Sequence, residues 1–111
     1  MEVGFVNARL ARIWNETSQR VRRLDPARAH KLQRRLDQLA ASNDLAEFNM
    51  LPQARCHQLK EDRDEQLSAD LDGHYRLIFE VANMPVPRLA DGGIDLTLVK
   101  RICVLEITNT H

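Results

Sequence analysis

The chain has 111 residues, 43% of them hydrophobic, and its 16 lysines and arginines balance its 16 aspartates and glutamates. This length suits one domain with one apolar core, and we expect a single domain over residues 1–111. We expect no membrane helix, because no apolar run reaches the ~20 residues that one needs, and no signal peptide, because no N-terminal stretch has its order of charged, apolar and small residues. The two cysteines, Cys56 and Cys103, are too few for a disulfide scaffold, and we expect a cytoplasmic protein.

The zero net charge is the sum of two unlike halves. Residues 1–60 carry eleven Lys/Arg and six Asp/Glu, whereas residues 61–111 carry five and ten, so the halves differ in sign at +5 and −5. Such asymmetry is typical of an interaction face, although a solvated helix face gives the same pattern. The acidic excess begins at residues 61–65. The basic excess lies in Arg20, Arg22, Arg23, Arg28, Lys31, Arg34 and Arg35.

The N-terminal residues predict a strand followed by a helix. Val3 and Phe5 alternate with polar or small neighbours, which is the period of a strand. Asn7 is then placed to cap a helix, and apolar residues recur at helical spacing as far as Leu24.

A second helix is predicted from Asp25-Pro26, because aspartate suits a helix cap and proline suits the first helical position. It should end near Ser42-Asn43. The two helices together predict a helical hairpin with a basic outer rim. The apolar stripe of the second helix consists of Ala29, Leu32, Leu36, Leu39 and Ala40.

Two amphipathic strands follow, and their patterns fix how they pair. Asp72-Gly73 favours a two-residue hairpin loop, but that register would set the apolar face of one strand against the polar face of the other. We therefore predict the longer loop Asp72-Gly73-His74. The predicted partners are Leu71 with Tyr75, Ala69 with Leu77, Leu67 with Phe79 and, on the reverse face, Asp70 with Arg76.

The C-terminal part predicts a loop and a central strand. Residues 83–95 contain two prolines and an Asp-Gly-Gly run, which favours a loop. Val99–Ile107 is apolar on both faces, so we expect a central strand with helices over one side of the sheet. The predicted fold class is α+β, an antiparallel-rich sheet with an N-terminal helical hairpin packed on it, in the order β-α-α-β-β-β.

Several kinds of site are excluded by spacing. Cys56 and His57 are adjacent on a predicted strand, so their side chains point to opposite faces and do not form a nucleophilic pair. Four converging zinc ligands, a glycine-rich phosphate loop and a serine-nucleophile motif are not visible. His30 lies among basic residues of the second helix, and we interpret it as a surface residue.

The remaining polar groups suit metal-free cleavage of RNA. In that reaction a base takes the proton of the ribose 2′-OH, the oxygen attacks phosphorus, cations stabilise the added charge and an acid protonates the leaving 5′-oxygen. Histidine titrates near neutral pH and arginine binds phosphate through two hydrogen bonds. Alternatively, Arg76 only pairs with Asp70, and His57, Lys60 and Arg63 lie on a solvated strand edge and turn. The candidate set is His57, Lys60, Arg63, Arg76 and His111.

At these residues the sequence resembles the RelE/HigB superfamily, the toxins of bacterial toxin–antitoxin modules, and within it the plasmid maintenance system killer branch. The stretch Lys31–Leu36 resembles the second helix of that branch. The other matching segments are Leu51-Pro52, His57-Gln58-Leu59-Lys60, Asp62-Arg63, Gly73–Phe79 and Val104–His111.

The resemblance implies a ribosome-dependent mRNA endonuclease that needs no metal or other cofactor and is neutralised by a cognate helix-turn-helix antitoxin. His57 is expected in proton transfer or phosphate contact, Lys60 as cationic support, Arg76 as a phosphate ligand and His111 as the terminal imidazole. Binding to the ribosome and mRNA is expected to use Arg63 and the basic hairpin, with Arg20, Arg22, Arg23, Arg28, Lys31, Arg34 and Arg35.

Three features of the sequence depart from the family pattern. The usual Asp-Tyr-His ending is Asn109-Thr110-His111, the basic turn after Lys60 is the acidic run 61–65, and the following position, often tryptophan, is Leu67. Acidic side chains at that turn would repel an RNA phosphate. These departures favour the alternative of a weakly active or inactive protein-binding module that still pairs with an antitoxin. A third alternative is an unrelated small α+β domain with no site.

Overall fold

The computed structural model describes residues 1–15, 26–60 and 65–109, and the side chains of residues 13–15 and 72 are not part of that description. In chain order the elements are β1 (Glu2–Phe5), α1 (Ala8–Asn15), α2 (Pro26–Ala41), α3 (Leu45–Asn49), β2 (His57–Gln58), β3 (Gln66–Asp72), β4 (Tyr75–Val81), a 3-10 helix (Leu96–Leu98) and β5 (Arg101–Asn109).

The five strands form one sheet in the order β1-β5-β4-β3-β2. β1 runs parallel to β5, and the other three neighbouring pairs are antiparallel. The predicted α+β class and the antiparallel-rich sheet are therefore confirmed. In the described part of the chain, no helix is long and apolar enough to cross a membrane.

The helices cover one face of the sheet and enclose the core with it. The predicted stripe of α2 is buried at Ala29, Leu32, Leu36 and Leu39, whereas Ala40 is exposed. These side chains pack against apolar residues of β3, β4 and β5, where Phe48 of α3 meets Phe79 edge to face with ring centroids 6.3 Å apart. The predicted first helix is observed as α1, and its expected continuation to Leu24 lies outside the described residues.

The hairpin of β3 and β4 has the predicted register over most of its length. Leu67 pairs with Phe79, Ala69 with Leu77 and Asp70 with Arg76. The prediction is wrong at the tip, where Asp72 rather than Leu71 pairs with Tyr75 and the loop has two residues. A bulge between Asp70 and Asp72 takes up the difference and keeps Leu71 in the core, with 5% of its surface exposed.

The central strand is shifted and less buried than predicted. β5 lies between β1 and β4 and is therefore an inner strand, as predicted, but it begins at Arg101 instead of Val99. Ile102 and Val104 face the core and are buried, whereas Cys103 and Leu105 are only half-buried. The described helices lie over one face of the sheet, so the apolar side chains on the other face of β5 are only partly covered and the sequence pattern overestimated their burial.

α3 was not predicted, because its five residues are too few for a helical period. It begins at Asp44, whose side chain accepts a hydrogen bond from the Glu47 N–H at 2.8 Å, the usual arrangement of an N-cap. The predicted loop 83–95 is irregular apart from one bridge between Arg88 and Ile94.

Candidate active site

A cluster of polar side chains lies on the face of the sheet opposite the helices. Leu67, Ala69 and Leu71 of β3 point into the core, so the alternation of a strand sends Ser68 and Asp70 to the other face. The strand register then completes the set, because His57 pairs with Ser68 and Arg76 pairs with Asp70. We call His57, Ser68, Asp70 and Arg76 the polar cluster.

Arg76 lies at the centre of the polar cluster. Its Nη1 lies 2.5 Å from Asp70 Oδ1, its Nε donates a hydrogen bond to Ser68 Oγ, and its Nη2 lies 3.4 Å from His57 Nδ1. Only 19% of the Arg76 side chain is exposed. The guanidinium is thus held in one orientation by three neighbouring side chains. The predicted position of Asp70 opposite Arg76 is thus accompanied by the ion pair that the alternative interpretation of Arg76 expected, and Arg76 also approaches His57.

His57 has two competing partners at Nδ1, and they select opposite tautomers. Nδ1 lies 3.2 Å from the Arg55 carbonyl oxygen and 3.4 Å from Arg76 Nη2. When Nδ1 donates to the carbonyl, Nε2 carries the lone pair and can accept a proton. When Nδ1 accepts from Arg76, Nε2 carries the proton and can donate it. The exposed ring has, in its two tautomers, the geometry of a base and of an acid.

The other predicted site residues are not all brought into the polar cluster. Lys60 is exposed just after β2, and no hydrogen bond or ion pair with the described residues joins it to His57 or Arg76. Arg63 and His111 lie outside the described residues. Thr108 of β5 pairs with Arg76, so the last described residues of the chain lie beside the polar cluster.

The basic residues of α2 divide into two groups. Lys31 and Arg34 are exposed, and the guanidinium carbon of Arg28 lies 4.2 Å from the centre of the Tyr75 ring. Arg35, however, is 6% exposed, which removes it from the expected RNA-binding set. The expected contacts through Arg20, Arg22 and Arg23 fall outside the described residues.

The guanidinium of Arg35 is used inside the fold. Its Nε donates to the Asp70 carbonyl at 2.7 Å, its Nη1 to Gln38 Oε1 at 2.6 Å and its Nη2 to the Gln53 carbonyl at 3.4 Å. Burial lowers the pKa of Arg35, and the charge of Arg34 acts in the same direction. Arg35 thus joins α2 to β3 and holds the backbone of Asp70 from the helix side.

The end of the acidic turn carries a paired carboxylate. Both oxygens of Glu65 bind the two terminal nitrogens of Arg88, with Nη2 to Oε1 at 2.7 Å. This side-chain hydrogen bond lowers the pKa of Glu65. The negative charge of Glu65, one of the acidic residues that replace the basic turn of the family, is therefore compensated by Arg88 of the loop after β4. Residues 61–64 lie outside the described part of the chain.

Two contributors to the site escaped sequence reasoning. Ser68 is fully buried and receives a hydrogen bond from Arg76, a role that only the strand register reveals. Arg55 lies two residues before His57, and its Nε approaches Asp70 Oδ2 at 3.6 Å. Among the residues described, no three His, Cys, Asp or Glu side chains are grouped as metal ligands.

Cys56 lies beside this site as an unreactive thiol. Burial raises the pKa of the Cys56 thiol from 9.0 to about 12, while the Arg76 guanidinium acts in the opposite direction. Between these values the thiol stays protonated in the folded chain and ionises in the unfolded chain, so the free energy of unfolding falls as pH rises.

We expect this loss of stability to be smaller in Cys56→Ala. The measurement is urea unfolding of both proteins at roughly pH 8 and pH 10, where the thiol contribution is respectively present and partly lost. Equal pH dependence of the two proteins would contradict the assignment.

Comparisons with known proteins agree with the fold and identify the family. A family model, the RelE-like toxin of type II toxin–antitoxin system HigB, matches residues 4–90, a range that includes His57, Lys60 and Arg76. Among solved structures, the YoeB/ParE toxin from Agrobacterium tumefaciens is similar over 100% of both chains, with a TM-score of 0.58 and 12% identity, which shows a shared fold. No curated protein sequence matches the chain.

Proposed function

Because the chain belongs to the HigB family of RelE-like toxins of type II toxin–antitoxin systems, we propose that it inhibits translation as a ribosome-dependent endoribonuclease that cleaves mRNA. The observation that carries this proposal is the contact between His57 and Arg76. It sets a group able to transfer protons beside a group able to bind phosphate, with the His57 ring exposed to solvent.

The proposed reaction needs two proton transfers and one stabilised charge. A base removes the proton of the ribose 2′-OH, and that oxygen attacks the adjacent phosphorus while the bond to the 5′-oxygen breaks. The guanidinium of Arg76, supported by the amine of Lys60, stabilises the charge on the phosphate oxygens. His57 and His111 are the proposed proton-transfer groups, and the reaction uses no metal or other cofactor.

Binding to the ribosome is proposed to use the basic side of α2. Lys31 and Arg34 are exposed there, and Arg28 is anchored on the Tyr75 ring. Arg20, Arg22, Arg23 and Arg63 complete the proposed RNA-binding set. Because these contacts are with phosphates, binding should weaken as the salt concentration rises.

A toxin of this family acts with an antitoxin, and we propose that the partner here is a helix-turn-helix protein that neutralises a cytoplasmic toxin formed by residues 1–111. A second function is favoured by the ion pair between Arg76 and Asp70, since it occupies the proposed phosphate ligand. If Arg76 stays paired with Asp70 and does not bind phosphate, the chain is a weakly active or inactive module that binds the antitoxin.

Induced expression in bacteria distinguishes the two functions. Wild-type protein is expected to arrest growth and to cleave translated mRNA, whereas His57→Ala should remove both effects because it deletes a proton-transfer group. His30→Ala is the matched control, since His30 is an exposed histidine of α2. Normal growth with intact mRNA, while the protein still binds the product of an adjacent gene, would support the inactive module instead.

A further inference from the structure

We propose that Arg55 binds a phosphate group of the RNA substrate, so that the site holds single-stranded RNA with two guanidinium groups, those of Arg55 and Arg76. The inference rests on the proposed function, since it adds a substrate-binding residue to the same site. It starts from the arrangement of charges around Asp70.

One carboxylate separates the two guanidinium groups. Asp70 Oδ1 lies 2.5 Å from Arg76 Nη1, and Asp70 Oδ2 lies 3.6 Å from Arg55 Nε. Both arginines are therefore on the face of the sheet that carries the polar cluster. One carboxylate can balance only one of the two guanidinium groups that flank it, and a phosphate can accept hydrogen bonds from the other.

Arg55 and Arg76 differ in how they are held. The side chain of Arg76 is 19% exposed and has three neighbours, whereas that of Arg55 is 77% exposed and pairs with Asp70 alone among the described residues. An exposed ion pair of this length contributes little to stability. Most of the five N–H donors of Arg55 thus remain in contact with solvent and are accessible to a phosphate.

The backbone at Arg55 places it at the site. Its φ angle is 44°, in the left-handed region that residues other than glycine and asparagine rarely adopt. This turn sets the Arg55 carbonyl 3.2 Å from His57 Nδ1 and the guanidinium beside Asp70. Residues in sparsely populated conformations cluster at functional sites, and here one such residue contacts both His57 and Asp70.

The test separates a phosphate contact from a structural ion pair. Arg55→Asn removes the charge with a residue that tolerates the left-handed backbone, and Arg55→Lys keeps the charge. Arg101→Gln is the control, because Arg101 is also an exposed arginine in an ion pair, with Glu2, and lies about 20 Å along β5 from the residue opposite Arg76.

Binding is measured by fluorescence anisotropy with a 2′-O-methylated single-stranded RNA, which the proposed reaction cannot cleave, at increasing KCl. Arg55→Asn is expected to weaken binding about 10-fold and to reduce the slope of log affinity against log salt by about 0.7, the value for one phosphate contact of single-stranded RNA. Arg55→Lys should keep the slope, and Arg101→Gln should keep both slope and affinity.

The thermal midpoint and the cleavage rate complete the test. Arg55→Asn should keep the wild-type midpoint, and in cleavage it should raise KM while leaving kcat nearly unchanged. A wild-type salt slope in Arg55→Asn, an equal loss in Arg101→Gln, or wild-type protein that does not bind the RNA would overturn the inference. If Arg55→Asn cleaves mRNA with the wild-type KM, the role of Arg55 in substrate binding is refuted and the proposed function is not. If the wild-type protein binds RNA through Arg55 but cleaves no mRNA, the proposed function is refuted and the role of Arg55 is not.

Discussion

Replacing Arg76 with alanine is expected to lower the rate of mRNA cleavage on the ribosome about 100- to 1000-fold, the range for losing one donor that stabilises transition-state charge. The change removes the guanidinium that contacts Asp70, Ser68 and His57. It also removes the closer of the two guanidinium partners of Asp70 and leaves only Arg55 at 3.6 Å among the described residues. The carboxylate charge is then less well compensated where an RNA phosphate should bind, which adds repulsion. Single-turnover cleavage of mRNA on programmed ribosomes measures the loss.

Two companion variants separate these effects. Asp70→Asn keeps Arg76 and removes its anionic partner, so we expect cleavage to be retained. The double variant Arg76→Ala/Asp70→Asn removes the repulsion as well, and it should remain as inactive as Arg76→Ala if the guanidinium itself acts on the phosphate. Recovery of the double variant, or an Arg76→Ala rate within a few-fold of wild type, would contradict the proposed role of Arg76.

Replacing Arg35 with alanine is expected to lower the free energy of unfolding by about 3 kcal/mol, because a buried carbonyl that loses its partner costs about 1–3 kcal/mol. The carbonyls of Asp70 and Gln53 both lose a donor, and α2 loses its link to β3. Urea unfolding followed by circular dichroism gives the difference directly.

The neighbouring arginine supplies a matched control for this prediction. Arg34 lies on the same helix but is exposed, so Arg34→Ala should change the free energy of unfolding by less than about 0.5 kcal/mol. Arg35→Met fills the volume without restoring the donors and should remain close to Arg35→Ala. Equal stability of Arg35→Ala and Arg34→Ala would show that the buried hydrogen bonds are not important for the fold.

The sequence was informative where polar and apolar residues alternate along a strand and one face of that strand is buried. The register of β3 with β4 could be predicted in preference to the one given by a two-residue Asp72-Gly73 loop, because that one-residue slip sets the apolar face of one strand against the polar face of the other. The bulge after Asp70 could not be predicted, since it adjusts one residue at the tip without changing the apolar pattern. α3 was missed because five residues do not complete a helical period.

Within the candidate site, chemistry was easier to predict than accessibility. His57 and Arg76 could be proposed from residue type and position, and their side chains do approach each other. The role of Arg35 could not, because it occupies the apolar side of α2 while its neighbours Lys31 and Arg34 face solvent. The sequence does not distinguish an arginine whose guanidinium reaches water from one whose guanidinium binds a carbonyl inside the fold, because the long side chain allows both.

The balance of charge has a clearer meaning in the structure than in the composition. Two acidic residues of the −5 half are engaged by arginines, Glu65 by Arg88 and Asp70 by Arg76. Asp70 has a second guanidinium partner in Arg55, whose side chain is exposed to solvent. A net charge of zero is therefore compatible with a site that binds RNA phosphate.

The most direct test of the proposed function is the chemical identity of the RNA ends after reaction on programmed ribosomes. Attack by the ribose 2′-OH predicts that purified wild-type protein leaves a 2′,3′-cyclic phosphate on the upstream fragment and a 5′-OH on the downstream fragment, and that His57→Ala leaves the mRNA intact. Intact mRNA with wild-type protein, or fragments ending in a 3′-OH and a 5′-phosphate, would contradict cleavage by the His57 and Arg76 site.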